Sequence, residues 1–366
     1  MNPINNEKIS SDPTSSRKRK VNDNEITQKT DTLKSKIGSL NTDPLKEIKS
    51  PTMLSDQMRK MSGELLRQQK ENVQIALEEG RAGEVLQAIK EGDLGKVRGL
   101  LAGKESISKK ILDDVLLFAV DDNKLGCVSA LLKSGYISKE GREEALIHAA
   151  SENHPGCVWL LAQPGSNISR KVLEEAISCA AGNNSAMMTI EFLEEHLQKN
   201  YPTSVDGVAK KEGSISLQGL RRALLIAAQK GCFMNACHFL KKGYIEPEVL
   251  DKALVLAAEN DQLAPFIDDL LKKGKHSISK EAALKVATEK RQFLNVYSLL
   301  QGNPISQEGR EAALLAVAED SRYIWVAAEI LDKGPISLEV LKAADAIATK
   351  NGSKVSLFKH AIEMLG

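Results

Sequence analysis

The pair Ile-Ser returns along this chain at a nearly fixed interval, and that recurrence constrains the fold more than any other feature. Isoleucines mark the positions Ile107, Ile137, Ile168, Ile215, Ile245, Ile278, Ile305 and Ile336, separated by 30, 31, 47, 30, 33, 27 and 31 residues. Serine follows in seven of the eight cases, with Glu246 as the exception. A unit of about 31 residues is too short to bury a hydrophobic face alone, so neighbouring units must stack to make one continuous core.

What each unit contains is legible from side-chain size and polarity. Ser at the start of an apolar periodic run reads as a helix N-cap, its hydroxyl accepting an otherwise orphaned backbone N–H. Glutamate two residues on (Glu140, Glu281, Glu308, Glu339) meets the positive end of the helix dipole. Eight residues after the isoleucine stands Val115, Ala145, Ala176, Ala223, Ala253, Ala313 or Ala344, and twelve after it Ala119, Ala149, Ala180, Ala227, Ala257, Val317 or Ala348. Positions four apart share a helix face, and side chains this small let another helix approach closely. The sixth unit shifts these slots by three residues, to Ala283 and Ala287, which predicts a first helix about a turn shorter. A second apolar helix then ends in glycine at Gly103, Gly135, Gly165, Gly243, Gly274, Gly302, Gly334 and Gly366, read as left-handed caps. Aromatic residues make up only 4% of the chain. A core of Ala, Leu, Val and Ile therefore predicts an all-α chain.

Helix, turn, helix, glycine and a short connector at this period resemble the ankyrin repeat, whose usual period is 33. The residues that carry the likeness are Glu84–Leu101, similar to a first ankyrin unit, and Gly141–Ala150 with Val158-Trp159-Leu160-Leu161 for the two helices of a later one. The family's Thr-Pro-Leu-His signature is absent, and the connectors are two or three residues short for projecting β-hairpins. The resemblance implies an α-solenoid of about nine ankyrin-like helix-turn-helix units over residues 83–366, with an insertion loop near 200–214. Such degenerate units look most like ankyrin-repeat proteins of bacteria that live inside eukaryotic cells. That likeness implies a protein-binding effector, cytoplasmic or delivered into a host cell and its nucleus, with a host protein as partner.

Residues 1–52 are polar, lack aromatics and are expected to be disordered. They carry the basic cluster Arg17, Lys18, Arg19 and Lys20, which resembles a short nuclear-localisation signal. Leu54, Met58, Met61 and Leu65, at steps of 4, 3 and 4, predict an amphipathic helix that caps the array over residues 53–82. No apolar stretch is long enough to span a bilayer, and the first residues lack the apolar core of a secretory signal. The five cysteines, Cys127, Cys157, Cys179, Cys232 and Cys237, suggest reduced thiols rather than a disulfide scaffold.

No phosphate-binding loop, nucleophile elbow or paired-cysteine zinc motif stands in the sequence, so neither catalysis nor a cofactor or metal is expected. Fifty basic against 49 acidic residues leave a net charge of +1, which argues against a dedicated nucleic-acid binder. The expected role is a monomeric protein-interaction scaffold. Its alternatives are a nucleic-acid-associated module using the basic tail, and an enzyme with an unrecognised site. Aromatic and arginine side chains dominate interface energetics, which makes Tyr136, Arg142, Tyr201, Tyr244 and Arg310 the candidate partner-binding residues.

Overall fold

The computed structural model of the chain describes residues 81–103, 107–201, 215–274, 277–301, 305–352 and 357–365. The polar tail with Arg17–Lys20, residues 53–80 of the amphipathic segment, residues 202–214 of the insertion, Gly302 and Gly366 lie outside them.

Among the described residues there are eighteen α-helices, two short 3-10 helices and no strand. In chain order the helices are α1 Arg81–Glu91, α2 Leu94–Ala102, α3 Lys109–Asp121, α4 Leu125–Lys133, α5 Lys139–Ser151, α6 Pro155–Leu161, α7 Arg170–Ala181, α8 Met187–Asn200 and α9 Leu217–Gln229. Then follow α10 Phe233–Lys241, α11 Pro247–Ala257, α12 Ala264–Lys273, α13 Ser277–Glu289, α14 Phe293–Leu300, α15 Gln307–Ala318, α16 Ile324–Asp332, α17 Leu338–Lys350 and α18 Leu357–Leu365. Each odd-numbered helix packs against the even-numbered one after it and against the next odd-numbered helix. The result is two layers of helices with contacts between neighbours, the packing order of an α-solenoid. No described helix is long and apolar enough to cross a membrane.

The first layer is built on the small residues. Ala145, Ala149, Ala176, Ala180, Ala223, Ala227, Ala253 and Ala257 are all fully buried, between leucines such as Leu116, Leu146, Leu224 and Leu254. At the first-helix starts, the hydroxyls of Ser108, Ser138, Ser169, Ser216 and Ser306 accept the N–H three residues on, as an N-cap should.

A second bond ties most of the marking serines to the preceding unit. Six residues after the isoleucine stands a carboxylate that reaches the next unit's serine. Asp113 accepts the Ser138 N–H at 2.8 Å and its hydroxyl at 2.5 Å. Glu143 accepts the Ser169 N–H at 2.8 Å. Glu174 accepts the N–H and hydroxyl of Ser216 at 2.8 and 2.6 Å, reaching across the insertion. Asp251 accepts the Ser279 hydroxyl at 2.7 Å, and Glu311 the Ser337 N–H at 2.8 Å. In the shifted sixth unit Glu281 does the same for Ser306. The one unit that lacks serine inverts the charge. Arg221 occupies the carboxylate's position and forms an ion pair with Glu246, its Nε donating to a carboxylate oxygen at 2.6 Å. Lys342 occupies it in the unit of α17.

Two expectations need correction. The first helix of the sixth unit is not shortened. It has 13 residues, as α3 and α5 do, and takes Ile278 and Ser279 into its own first turn, so the three-residue shift is absorbed by the connector. The closing glycines are also not uniformly left-handed: Gly135 and Gly165 are, at φ 76° and 84°, whereas Gly103 and Gly274 have negative φ.

The left-handed residues that matter most stand between the two helices of a unit, at Gly92, Asn123, Asn153, Gly231 and Arg291, where φ is 52–73°. After each, the next N–H bonds back five residues to a carbonyl, at Ala88, Ala119, Ala149, Ala227 and Ala287, over 2.8–2.9 Å. This is the Schellman closure of a helix C-terminus. The units of α11 and α15 replace it with the 3-10 helices Asp261–Leu263 and Ser321–Tyr323, opened by the side chains of Asn260 and Asp320.

Candidate interaction surface

Of the five residues singled out for partner binding, the structure leaves two at the surface. Tyr136 and Tyr244 each precede a marking isoleucine and are 50% and 73% exposed, at equivalent connectors three units apart. The other three are engaged with the chain itself. The Tyr201 hydroxyl donates to the Ile168 carbonyl at 2.5 Å, closing the end of α8 over the preceding connector. Arg310 is buried, donating to the carbonyls of Ile305 at 2.5 Å and Pro335 at 3.3 Å. Arg142 donates to the Leu161 carbonyl at 2.8 Å.

Those arginines share a column. Five residues after the isoleucine most units carry a buried leucine: Leu112, Leu173, Leu220, Leu250 and Leu341. Arg142 and Arg310 stand there in their units, and Lys280 stands there in the shifted sixth unit. Each long stem takes the leucine's place; the heads of Arg142 and Lys280 reach a carbonyl at the end of their own unit's second helix, Leu161 for Arg142 and Gln301 at 2.8 Å for Lys280, whereas that of Arg310 reaches the connector carbonyls of Ile305 and Pro335. Burial lowers the Lys280 ammonium to about 8 and holds the Arg142 guanidinium below its ordinary range. The structure thus places the heads of both arginines on backbone carbonyls of their own chain.

Large apolar side chains are exposed chiefly in the second layer. Leu125, Trp159, Met188, Met234, Leu294, Tyr297 and Trp325 lie on α4, α6, α8, α10, α14 and α16. Tyr297 and Trp325 meet edge-on, with ring centroids 5.1 Å apart. Packing between second helices leaves room for such residues because the side chain of one unit covers a glycine of the next. A Cβ on Gly126 would meet Leu94 at 2.7 Å, and one on Gly156 would meet Leu125 at 2.9 Å. Deeper in this layer, buried Asn235 donates to the carbonyls of Ala181 and Asn183, and buried Asn295 to those of Ala257 and Ala258, tying each turn to the unit before it.

One cluster of titratable groups joins two units. Across the insertion, α8 and α10 meet at Glu194, a buried carboxylate 2.7 Å from Lys242 Nζ and 3.1 Å from His238 Nε2. Burial pushes the Glu194 carboxyl up, but its bonds to His238 and Lys242 outweigh that and hold it below the usual range. Asp114 is shifted the other way, to about 7, by burial first and then by the negative charges of Asp113 and Glu144, against the opposing charge of Lys110. The Cys157 thiol is pushed up to about 11 by burial, and none of the five cysteines is in a disulfide. Among the described residues no group of His, Cys, Asp and Glu is arranged to hold a metal ion.

A scan against known protein families finds no match, and a search of curated proteins finds none either. Among solved structures, the chain is similar to one from "Computational Design of Self-Assembling Cyclic Protein Homooligomers", at 16% identity over 81% of this chain and 98% of that one, with a TM-score of 0.14. A superposition that poor carries no argument about fold or function.

Proposed function

We propose that this chain is a degenerate ankyrin-like repeat protein and a non-enzymatic interaction scaffold, an effector that engages a host protein through the surface of its stacked helix pairs. One observation carries the reading. Partly buried Asp113 and Glu174 and buried Asn235 and Asn295 bond other parts of the array, while large apolar and aromatic side chains recur exposed along one layer. Groups that would do chemistry are used to join units, and groups that would bind a protein surface are left outside. The ankyrin resemblance supports the same role, and the basic cluster Arg17–Lys20 supports entry into the host nucleus.

Proximity labelling in eukaryotic cells with the full chain tests this. A reproducible set of host proteins, lost on heat-unfolding the chain before a matched lysate capture, is the expected result. Labelling no different from that of an unrelated helical protein overturns the scaffold reading. With a partner in hand, Tyr136→Ala and Tyr244→Ala report whether the connector edge belongs to the binding face.

A further inference from the structure

The second helices are not alike in charge. α8 carries Glu191, Glu194 and Glu195, α12 carries Asp268 and Asp269, and α16 carries Glu329 and Asp332. α10 and α14 lack carboxylates but stand singly between those helices, whereas the consecutive second helices α2, α4 and α6 all hold none: their sequences are LGKVRGLLA, LGCVSALLK and PGCVWLL. Their charges are Lys96, Arg98 and Lys133, with Lys124 capping α4. The acids Glu91, Asp93, Asp122 and Glu152 stand in or beside the turns that lead into these helices, with Glu91 3.9 Å from Lys96.

The outward face of α4 and α6 is largely apolar, and that of α2 is glycine flanked by Lys96 and Arg98. Leu125 and Trp159 are exposed, Leu132 and Leu160 are half-buried beside them, and the Leu94-on-Gly126 and Leu125-on-Gly156 contacts join the helices edge to edge. At one margin the exposed Gly95 and Gly99 stand a turn apart on α2, and a Cβ on Gly99 would meet nothing within 4 Å. A helix backbone open in this way admits close approach of another helix, which a bilayer surface would not exploit. Helices packed at about 8–10 Å place α2 and α6 roughly 16–20 Å apart. At about 1.5 Å per residue, a helix of three to four turns spans that distance.

We propose that the α2–α4–α6 face docks an amphipathic helix of a partner protein, one with a leucine-type apolar stripe flanked by Asp and Glu. The apolar stripe lies over Leu125, Leu132 and Trp159, and the acidic flanks meet Lys96, Arg98 and Lys133. The proposal rests on the scaffold reading and specifies its site and the chemistry of its partner.

The test uses the full chain and two labelled 18-residue helical peptides. Both carry leucine at i, i+3, i+4 and i+7, with glutamate flanks in one and lysine flanks in the other. Fluorescence anisotropy is expected to show the glutamate peptide bound at least tenfold tighter than the lysine peptide, with affinity falling as salt rises. Trp159→Ala is expected to weaken it at least tenfold with an unchanged melting temperature, Lys96→Glu with Arg98→Glu to reverse the preference, and Trp325→Ala in the distant α16 to do nothing. Equal affinity for the two peptides, an equal loss from Trp325→Ala, or no peptide binding overturns the proposal. So does binding only to vesicles of 30% phosphatidylserine in phosphatidylcholine, which would make the face a membrane surface. Host proteins that remain labelled by the Trp159→Ala chain would leave the scaffold standing and remove this face from it, whereas no specific labelling by the unaltered chain would remove the scaffold itself.

Discussion

The two layers of helices solve the same stacking problem by different means. In the first layer the space between neighbours is set by pairs of fully buried alanines such as Ala145 and Ala149, and a carboxylate from most units bonds the serine of the next. In the second layer larger residues cover one another across glycines, polar ties such as those of Asn235 and Asn295 lie deeper in the layer, and Leu125, Trp159 and Trp325 stay partly in solvent. One interval of sequence therefore carries a layer that determines the stacking and a layer free to vary. Substitutions should separate the two.

The largest loss is expected at the column where long cations replace leucine. Lys280→Ala should cost about 2–4 kcal/mol, since it removes both the stem and the bond to the Gln301 carbonyl. Lys280→Leu should recover more than half of that in thermal unfolding, because Leu250 and Leu341 fill the equivalent sites. If leucine is no better than alanine there, the column is not a packing position.

Enlarging the first-layer alanines comes next. Ala149→Leu or Ala227→Leu should destabilise by about 1–3 kcal/mol through overpacking, with a matching fall in melting temperature. Glu143, on the same helix, is only partly exposed and accepts the Ser169 N–H. Glu143→Leu should accordingly cost about 1 kcal/mol rather than nothing.

The inverted junction gives a sharper comparison within the same layer. Arg221→Glu sets two carboxylates against each other and should cost about 1–2 kcal/mol. Adding Glu246→Ser rebuilds the carboxylate-on-serine bond seen at the other junctions and should return stability to within about 0.5 kcal/mol of the original. A double variant no better than the single one would mean that the junctions are not interchangeable.

Asp114→Asn has the smallest and the only favourable expected effect. The folded state holds this carboxyl protonated up to about pH 7, while the unfolded chain releases it near the ordinary 3.8. Stability therefore falls as pH rises from about 4 to 7, and the full penalty is present above 7. The substitution should raise stability by about 1 kcal/mol at pH 8, after allowance for solvent screening, and leave it unchanged at pH 4. A gain of the same size at both values would assign the effect to something other than this titration.

Much of the first layer was legible before any coordinates. The Ile-Ser recurrence marked where helices begin, serine identified the cap, and the alanines eight and twelve residues on identified the tightly packed face, because capping and small-residue packing depend on residue type at short sequence distance. The junction bonds were legible too, though less plainly. Asp113, Glu143, Glu174, Asp251 and Glu311 form a column, and Arg221 breaks it in the same interval in which Glu246 replaces serine. Tertiary structure alone decided the rest. It turned Arg142, Arg310 and Tyr201 inward onto backbone carbonyls, kept the sixth first helix at full length and left Trp159 and Leu125 uncovered. The same residue type is an anchor or a strut according to whether a carbonyl or solvent lies at the end of its reach. That separation is set by how helices distant in sequence pack together, which no local spacing encodes.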